Sequence, residues 1–319
     1  MSDLVPLEEV ERAAARIAGV ALRTPLVPFP LSDPRLLVKA ESLQPIGAFK
    51  LRGAYATIAA MPEDRRQKGV VTHSSGNHAQ AVAYTARALD IPVVLVIPHT
   101  TPGVKVDACI ALGAEIVYVE PTMEDRVATA ERLAEAHGFT LVPPFDHAGI
   151  IAGQGTVGLE IVQDCPDAGV VLVPVGGGGL IAGVAAAVKQ LSPETKVIGV
   201  EPELAADARA SFRAGKPVAW SAEETSRTIA DALRAQRLGD LTFAHINEYV
   251  DDIITVTEDE IRLTMRRLAR QARLIAEPGG AVATAGYLFH RHELPSAETY
   301  VSVLSGGNVD PALFLEVLA

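Results

Sequence analysis

Four short segments concentrate the residue types that chemistry needs. In Gly47-Ala48-Phe49-Lys50-Leu51-Arg52-Gly53, one lysine sits among apolar and small residues. Burial lowers a lysine's pKa and frees a neutral amine, the requirement for Schiff-base chemistry. The same residue types also suit a lysine that lays its stem on an apolar surface and keeps its charge in water. Phe49 beside it is placed to press on a flat ring. In Gly176-Gly177-Gly178-Gly179-Leu180, four glycines follow an apolar run ending at Val175 and open a helical segment. With every side chain removed from the turn, backbone N–H groups can close around a phosphate at the positive end of the helix. Tight packing of a strand-to-helix turn selects glycine as well. The run lacks the GK[ST] ending of a P-loop and the GxGxxG spacing of a dinucleotide fold.

Thr72-His73-Ser74-Ser75-Gly76-Asn77-His78-Ala79-Gln80 gathers hydroxyls and an amide where a strand enters a helix. Free N–H groups at such a start make a nest suited to a carboxylate, or simply a helix capped by Ser74 or Ser75. Ser305-Gly306-Gly307-Asn308 follows the strand-like Tyr300 to Leu304, so Ser305 either faces the crevice where open α/β sheets bind ligands or forms a plain turn. Glu201-Pro202-Glu203-Leu204-Ala205-Ala206-Asp207 offers two carboxylates with carbonyls between them. Hard oxygen ligands of this kind suit Mg²⁺, Ca²⁺ or Mn²⁺, while an acidic helix start needs no ion.

These segments sit at the joints of a regular alternation. From about residue 69, apolar runs rich in β-branched residues alternate with alanine-rich segments of helical spacing, the signature of βαβ units and a parallel sheet. Gly69 to His73 precedes a helix around Asn77 to Leu89, and Val93 to Ile97 precedes one around Val104 to Leu112. Glu115 to Val119 leads into Glu124 to His137, Val170 to Val175 into Leu180 to Leu191, and Lys196 to Val200 into a helix near Ala205. Two parallel sheets or one large one would satisfy this order. Leu7 to Ile17 reads as a helix opened after Pro6 and closed at Gly19.

Bulk composition narrows the partners. The chain has 319 residues, 49% of them hydrophobic, and a formal charge of -11 from 28 Lys+Arg against 39 Asp+Glu. Length suggests about two domains as a soft prior, and the negative charge repels nucleic acid and acidic membranes, leaving a small diffusing substrate. The uncharged stretch Gly169 to Val188 is broken by Pro174 and glycines, so it reads as strand, loop and buried helix, not a membrane span. Cys109 and Cys165, each in a stretch that reads as helix, indicate neither a disulfide framework nor a CxxC metal site, which suits a reducing cytoplasm. The N-terminus lacks the order of a secretory signal. No solenoid repeat or low-complexity linker is visible.

Taken together, the order and wording of these segments resemble the serine/threonine dehydratase and serine racemase family of pyridoxal-phosphate (PLP) enzymes, fold type II. The resemblance runs from about Leu7 to Asp310 and includes the lysine segment, Ser74-Ser75-Gly76-Asn77-His78, Ile151-Ala152-Gly153-Gln154-Gly155-Thr156, the glycine run, Val256-Thr257-Glu258-Asp259-Glu260 and Ser305-Gly306-Gly307-Asn308. It implies an α/β fold of two open, twisted, mostly parallel sheets flanked by helices. A small mobile substrate domain, 69–146, would be inserted in a large PLP domain, 1–68 and 147–319. Two-fold dimerisation is the default expectation for such an enzyme.

By the same resemblance Lys50 carries PLP as a Schiff base, Phe49 covers one face of its ring, and Gly176, Gly177, Gly178, Gly179 and Leu180 hold its phosphate. Asn77 meets the ring hydroxyl. Ser305 meets the pyridine nitrogen, and a neutral serine there leaves that nitrogen largely unprotonated, which favours loss of a β-leaving group over transamination. Ser74, Ser75, Asn77 and His78 receive the substrate carboxylate, with Arg126 either a further contact or a solvated helix residue. Glu201, the Ala205 carbonyl and Asp207 hold a divalent cation.

The activity implied is α,β-elimination of threonine or serine to a 2-oxo acid and ammonia, with Lys50 removing the α-proton. Ser75 on the opposite face would allow serine racemisation as a secondary activity. Ala48 stands where the family often has serine, and Ala232 where glycine often follows Ile-Ala-Asp, departures that bear on the preferred substrate and not on the cofactor chemistry; a β-hydroxyaspartate dehydratase is a further alternative. A β-replacement enzyme such as cysteine synthase usually carries Thr-Ser-Gly-Asn-Thr, so Ser74 to His78 argue against it. A binding protein that kept the fold without turnover would not need Lys50 and both anion sites.

Overall fold

The structure, a computed structural model, describes residues 4–74, 76–101 and 103–319. Ten strands form two sheets: β1 (Leu26–Pro28), β2 (Arg35–Ala40), β3 (Val70–Thr72), β4 (Val93–Pro98), β5 (Glu115–Val119), β6 (Thr140–Leu141), β7 (Val170–Pro174), β8 (Lys196–Pro202), β9 (Asp252–Val256) and β10 (Thr299–Leu304). The larger sheet has the order β1-β2-β10-β7-β8-β9, parallel except for the antiparallel edge strand β1. The smaller, β5-β4-β3-β6, is wholly parallel. Strands β4, β7 and β10 are buried along their whole length, and this explains their unbroken Val/Ile/Leu runs: helices cover both faces of a parallel sheet.

The alternation expected from residue 69 onward appears as two sheets. Strands β2 and β9 lay outside that expectation. β2 is Arg-Leu-Leu-Val-Lys-Ala, and its buried Lys39 breaks the apolar signal. Cys165 lies one residue past the helix Ala148–Asp164, as its C-terminal cap.

Two helices position the site. Lys50 is the first residue of the helix Lys50–Ala59, which packs on the helix Ala148–Asp164 through glycines. A Cβ on Gly153 would lie 2.5 Å from the Gly53 Cα, and one on Gly53 would lie 2.3 Å from the Gln154 amide nitrogen. Gly53 and Gly153 therefore make a backbone-to-backbone crossing at which a side chain on Gly153 would force the helices apart.

The same helix is pinned by a buried set of four charges. The Arg52 guanidinium donates from Nε and Nη2 to Glu41 at 2.8 Å each, and to Glu160 from Nη1 at 2.6 Å and Nη2 at 2.8 Å. Lys39 Nζ donates to Glu160 and to the Thr24 carbonyl, both at 2.6 Å. Arg52, Lys39 and Glu41 are each fully buried. Burial alone would raise the Glu41 carboxyl, but Arg52 against it holds it below its ordinary value. Two cations balance two anions, the condition under which buried charge is tolerated.

Candidate active site

The cleft lies where the carboxyl ends of β3, β7 and β10 meet the start of the Lys50 helix, the expected place for a ligand in open α/β sheets. Antiparallel pairing of Ala48 with Gly306 and a 3.0 Å bond from the Phe49 N–H to the Ser305 carbonyl join the lysine segment to the end of β10. Lys50 Nζ donates to the Pro144 carbonyl at 2.6 Å and lies 5.2 Å from the centre of the Phe49 ring. Burial lowers its pKa from 10.5 to about 8. A surface lysine would show no such shift, so the reactive-amine alternative is the one the fold supports.

The glycine run is a cradle made of backbone. A Cβ at Gly177 would fall 2.4 Å from the Phe145 ring, and one at Gly178 would fall 2.9 Å from Leu238 and Thr242. Gly178 has φ +90 and caps the helix Gly179–Leu191 with no side-chain hydrogen bond, so the first N–H groups of that helix stay free for an anion. Ala232 sits alongside, its carbonyl 3.4 Å from where a Gly176 Cβ would be.

Residues 144–146 bridge the two halves of this site, and sequence reasoning missed them. Pro144 accepts from Lys50, Phe145 rests on Gly177 and Gly179, and the Asp146 carboxylate takes the N–H groups of Asp240, Leu241 and Thr242 at 3.0–3.1 Å. Thr242 Oγ1 in turn donates to the Gly177 carbonyl at 2.9 Å. The Pro143-Pro144 pair followed by an aspartate was the available signal, since such residues mark a fixed turn.

Asn77 opens the helix Asn77–Leu89, whose N-cap is Gly76 with no side-chain cap. Its amide is held from both sides: Nδ2 donates to Glu277 at 2.7 Å and Oδ1 accepts from Asn308 at 2.8 Å. The His78 ring is buried, with Nε2 at 3.0 Å from the Val142 carbonyl. Burial, together with the charge of Lys50, pushes its pKa down to about 3. His78 is thus neutral, and its side chain braces the helix start. Ser74 and Arg126 line a cavity of about 250 Å³ with His73, Pro143, Pro144, Phe145 and Asp146. Arg126 donates to the His73 carbonyl, while its buried Nε has no partner, so it is no solvated helix residue. Ser75 lies outside the described residues.

Glu201, near the end of β8, and Asp207, just beyond that strand, are both fully buried. Glu201 accepts the N–H groups of Ala208 at 3.1 Å and Arg209 at 2.8 Å; neither Asp207 oxygen has a partner. Burial raises Asp207 to about 7, and burial plus the Asp207 charge raises Glu201 well above the ordinary range.

The description pyridoxal-phosphate dependent enzyme matches residues 17–306. The chain belongs to this family. It is 41% identical over 306 residues to the L-threo-3-hydroxyaspartate ammonia-lyase of Saccharomyces cerevisiae, covering 95% of this chain and 93% of that one. Its fold superimposes on a threonine deaminase from T.th. with a TM-score of 0.90 and 43% identity, over 96% of this chain and 99% of the other. Maize serine racemase gives a TM-score of 0.93 at 36% identity, over 98% and 96%. The two-sheet α/β architecture, the enzyme class and the cofactor follow from the family. Among the described residues no helix is long and apolar enough to cross a membrane.

Proposed function

We propose that this enzyme eliminates water from a small β-hydroxy amino acid, threonine or serine, to release an enamine that takes up water again to give a 2-oxo acid and ammonia. The observation that carries this reading is an amine of lowered pKa held by Pro144, next to a Phe145 that rests on a turn of four bare glycines at a helix start. Lys50 and Gly176 to Leu180 would hold the cofactor at its two ends, with Phe49 against the ring, Ser305 at the pyridine nitrogen and Asn77 at the ring hydroxyl. When bound, PLP supplies the electron sink that makes the substrate α-proton acidic.

The chain's own residues do the rest. Lys50, once released, takes that proton as a neutral base, its amine oriented by the Pro144 carbonyl. Ser74, Ser75 and the uncapped N–H groups at Asn77 and His78 receive the substrate carboxylate at the positive end of a helix. Closure of 69–146 over the cleft would exclude water. Two unpaired cysteines suit a reducing cytoplasm. The exposed Leu22, Leu43 and Ile275 lie on adjoining segments and favour a homodimer.

A second reading is favoured by Arg126. A guanidinium with an unpartnered buried Nε beside the substrate cavity suits a second carboxylate, as in β-hydroxyaspartate. Ammonia release with L-threonine, L-serine, D-serine and L-threo-3-hydroxyaspartate decides between them. Arg126→Met is expected to lower kcat/KM for hydroxyaspartate about tenfold or more, and that for threonine much less; equal losses would remove the dicarboxylate reading. The enantiomer ratio of residual serine reports racemisation.

The buried carboxylates fit a divalent cation held by Glu201, Asp207 and the Ala205 carbonyl, since Glu201 feels the Asp207 charge and neither Asp207 oxygen has a partner. Without an ion, carboxyls raised in the fold are neutral at low pH and pay desolvation as they ionise, so stability falls as pH rises from about 4 through 7. Magnesium at about one hundred times its Kd stabilises by about 2.7 kcal/mol. The melting temperature in EDTA should therefore fall between pH 5 and 8, and added Mg²⁺ should flatten that fall. Identical profiles with and without the ion would exclude the site.

A further inference from the structure

The strongest group that the proposed chemistry leaves unused is Glu277. It precedes Pro278 at the start of the helix Pro278–His290, is 4% exposed, and sits under the turn that follows β10, where a Cβ on Gly306 would fall 2.3 Å from its Oε1. Gly306 adjoins Ser305, so the carboxylate lies beneath the turn that carries Ser305. Its hydrogen-bond partner is Asn77.

The polarity of these bonds is forced from the Asn308 end. The Ile46 carbonyl can only accept, so Asn308 must turn Nδ2 toward it, at 2.8 Å, and the second hydrogen of that nitrogen serves Asn77 Oδ1, also at 2.8 Å. At the other end Glu277, when ionised, can only accept, which agrees with Asn77 turning Nδ2 toward it. Both anchors give the Asn77 amide one orientation, and one Nδ2 hydrogen remains for a ligand. Asn308 alone keeps Oδ1 turned toward itself, and Glu277 adds the acceptor that holds the Nδ2 side in place.

We propose that Glu277 is a positioning residue for the cofactor's ring hydroxyl, acting through Asn77 by fixing the single N–H that this amide can offer to the phenolic oxygen. The proposal rests on the reading that Lys50 and the glycine run hold PLP. It gives the Glu277-Pro278 start a role in the reaction and ties the helix that follows β3 to the end of β10. The charged groups facing Glu277 are Asp231, which raises its pKa, and Lys105, which lowers it and is bonded to Asp231 at 2.7 Å. Burial, with Asp231, brings the Glu277 carboxyl to about 7, so its charge changes near neutral pH.

The test compares cofactor binding by wild type, Glu277→Gln and Glu277→Ala apoenzymes, using PLP and its 3-deoxy analogue, which lacks the ring hydroxyl. Glu277→Ala should bind PLP about tenfold or more weakly, while its affinity for the 3-deoxy analogue stays within about twofold of wild type. Glu277→Gln keeps an acceptor and should recover part of the loss. The visible band of bound PLP should shift across a transition near pH 7 in wild type and lose that transition in Glu277→Gln. Comparing two cofactors in one variant cancels any change in folded fraction. Equal losses for both cofactors, or an unchanged transition in Glu277→Gln, would overturn the proposal. Failure of borohydride to label Lys50 in wild type is a separate outcome that removes the underlying reading of the site.

Discussion

Lys50→Ala is expected to lower 2-oxo acid formation by at least about 10⁴-fold at saturating PLP, because one substitution removes both the cofactor's covalent anchor and the base for the α-proton. Lys50→Arg should fail as badly, since a guanidinium cannot become the neutral base that both steps need. Borohydride reduction followed by peptide mapping should place the label on Lys50 in wild type and nowhere in the variants. Burial lowers the Lys50 pKa to about 8, so the amine is mostly protonated below that pH and mostly neutral above it. The rate at which apoenzyme captures PLP should accordingly rise with pH through about 8 and level off beyond it. Activity of Lys50→Ala within tenfold of wild type, or a label on another lysine, would end the assignment.

The parts of this site that could be read from the sequence are those where local composition states the physics. A glycine run between a buried strand and a helix can hardly be anything but a bare turn, and the chain places Gly178 at φ +90 there. The alternation from β3 to β8 was visible because each crossover returns to a parallel strand within a short span. Lys50 was legible only in company, since an isolated lysine among apolar residues is ordinarily at the surface. The bracing groups were not legible. Glu277 and Asn77 are 200 residues apart, and nothing near Glu277 marks it as more than a residue before a proline. The Pro144 carbonyl is main chain and carries no side-chain signal at all. The resemblance puts His78 at the substrate carboxylate, and its ring turns inward to Val142, which leaves the main-chain N–H for that contact. Whether a residue in a loop faces a ligand or the core depends on packing that spacing alone does not encode. The same is true of Arg52, whose partners come from segments 11 and 108 residues away.

Arg52→Ala is the stability change with the largest expected effect. The substitution leaves Glu41 wholly buried and shares Glu160 with Lys39 alone, and breaking one partner out of a buried ion set costs about 3–5 kcal/mol. A urea midpoint measured at pH 8 should fall accordingly, with little change in slope. The pH dependence identifies the cause. In wild type Glu41 lies below its ordinary pKa because Arg52 stabilises its charge, so its contribution is present above the unfolded pKa and is lost as pH falls through the folded one. Without Arg52 the carboxyl loses that stabilising charge and burial dominates. Its folded pKa then lies above the unfolded value, and stability is lost as pH rises. The difference between wild type and variant should therefore shrink between pH 8 and pH 5. An Arg52→Met, Glu41→Leu, Glu160→Met, Lys39→Met variant removes all four charges together and should recover part of the loss, because no unpaired charge stays buried, although the Thr24 hydroxyl and the Gln44 amide lose their Glu41 partner. A loss under about 1 kcal/mol for Arg52→Ala, or one that grows toward acid pH, would mean that the cluster does not fix the helix. The consequence for chemistry is geometric: Arg52 is two residues from Lys50, and a helix free to slide there carries the amine away from the Pro144 carbonyl that orients it.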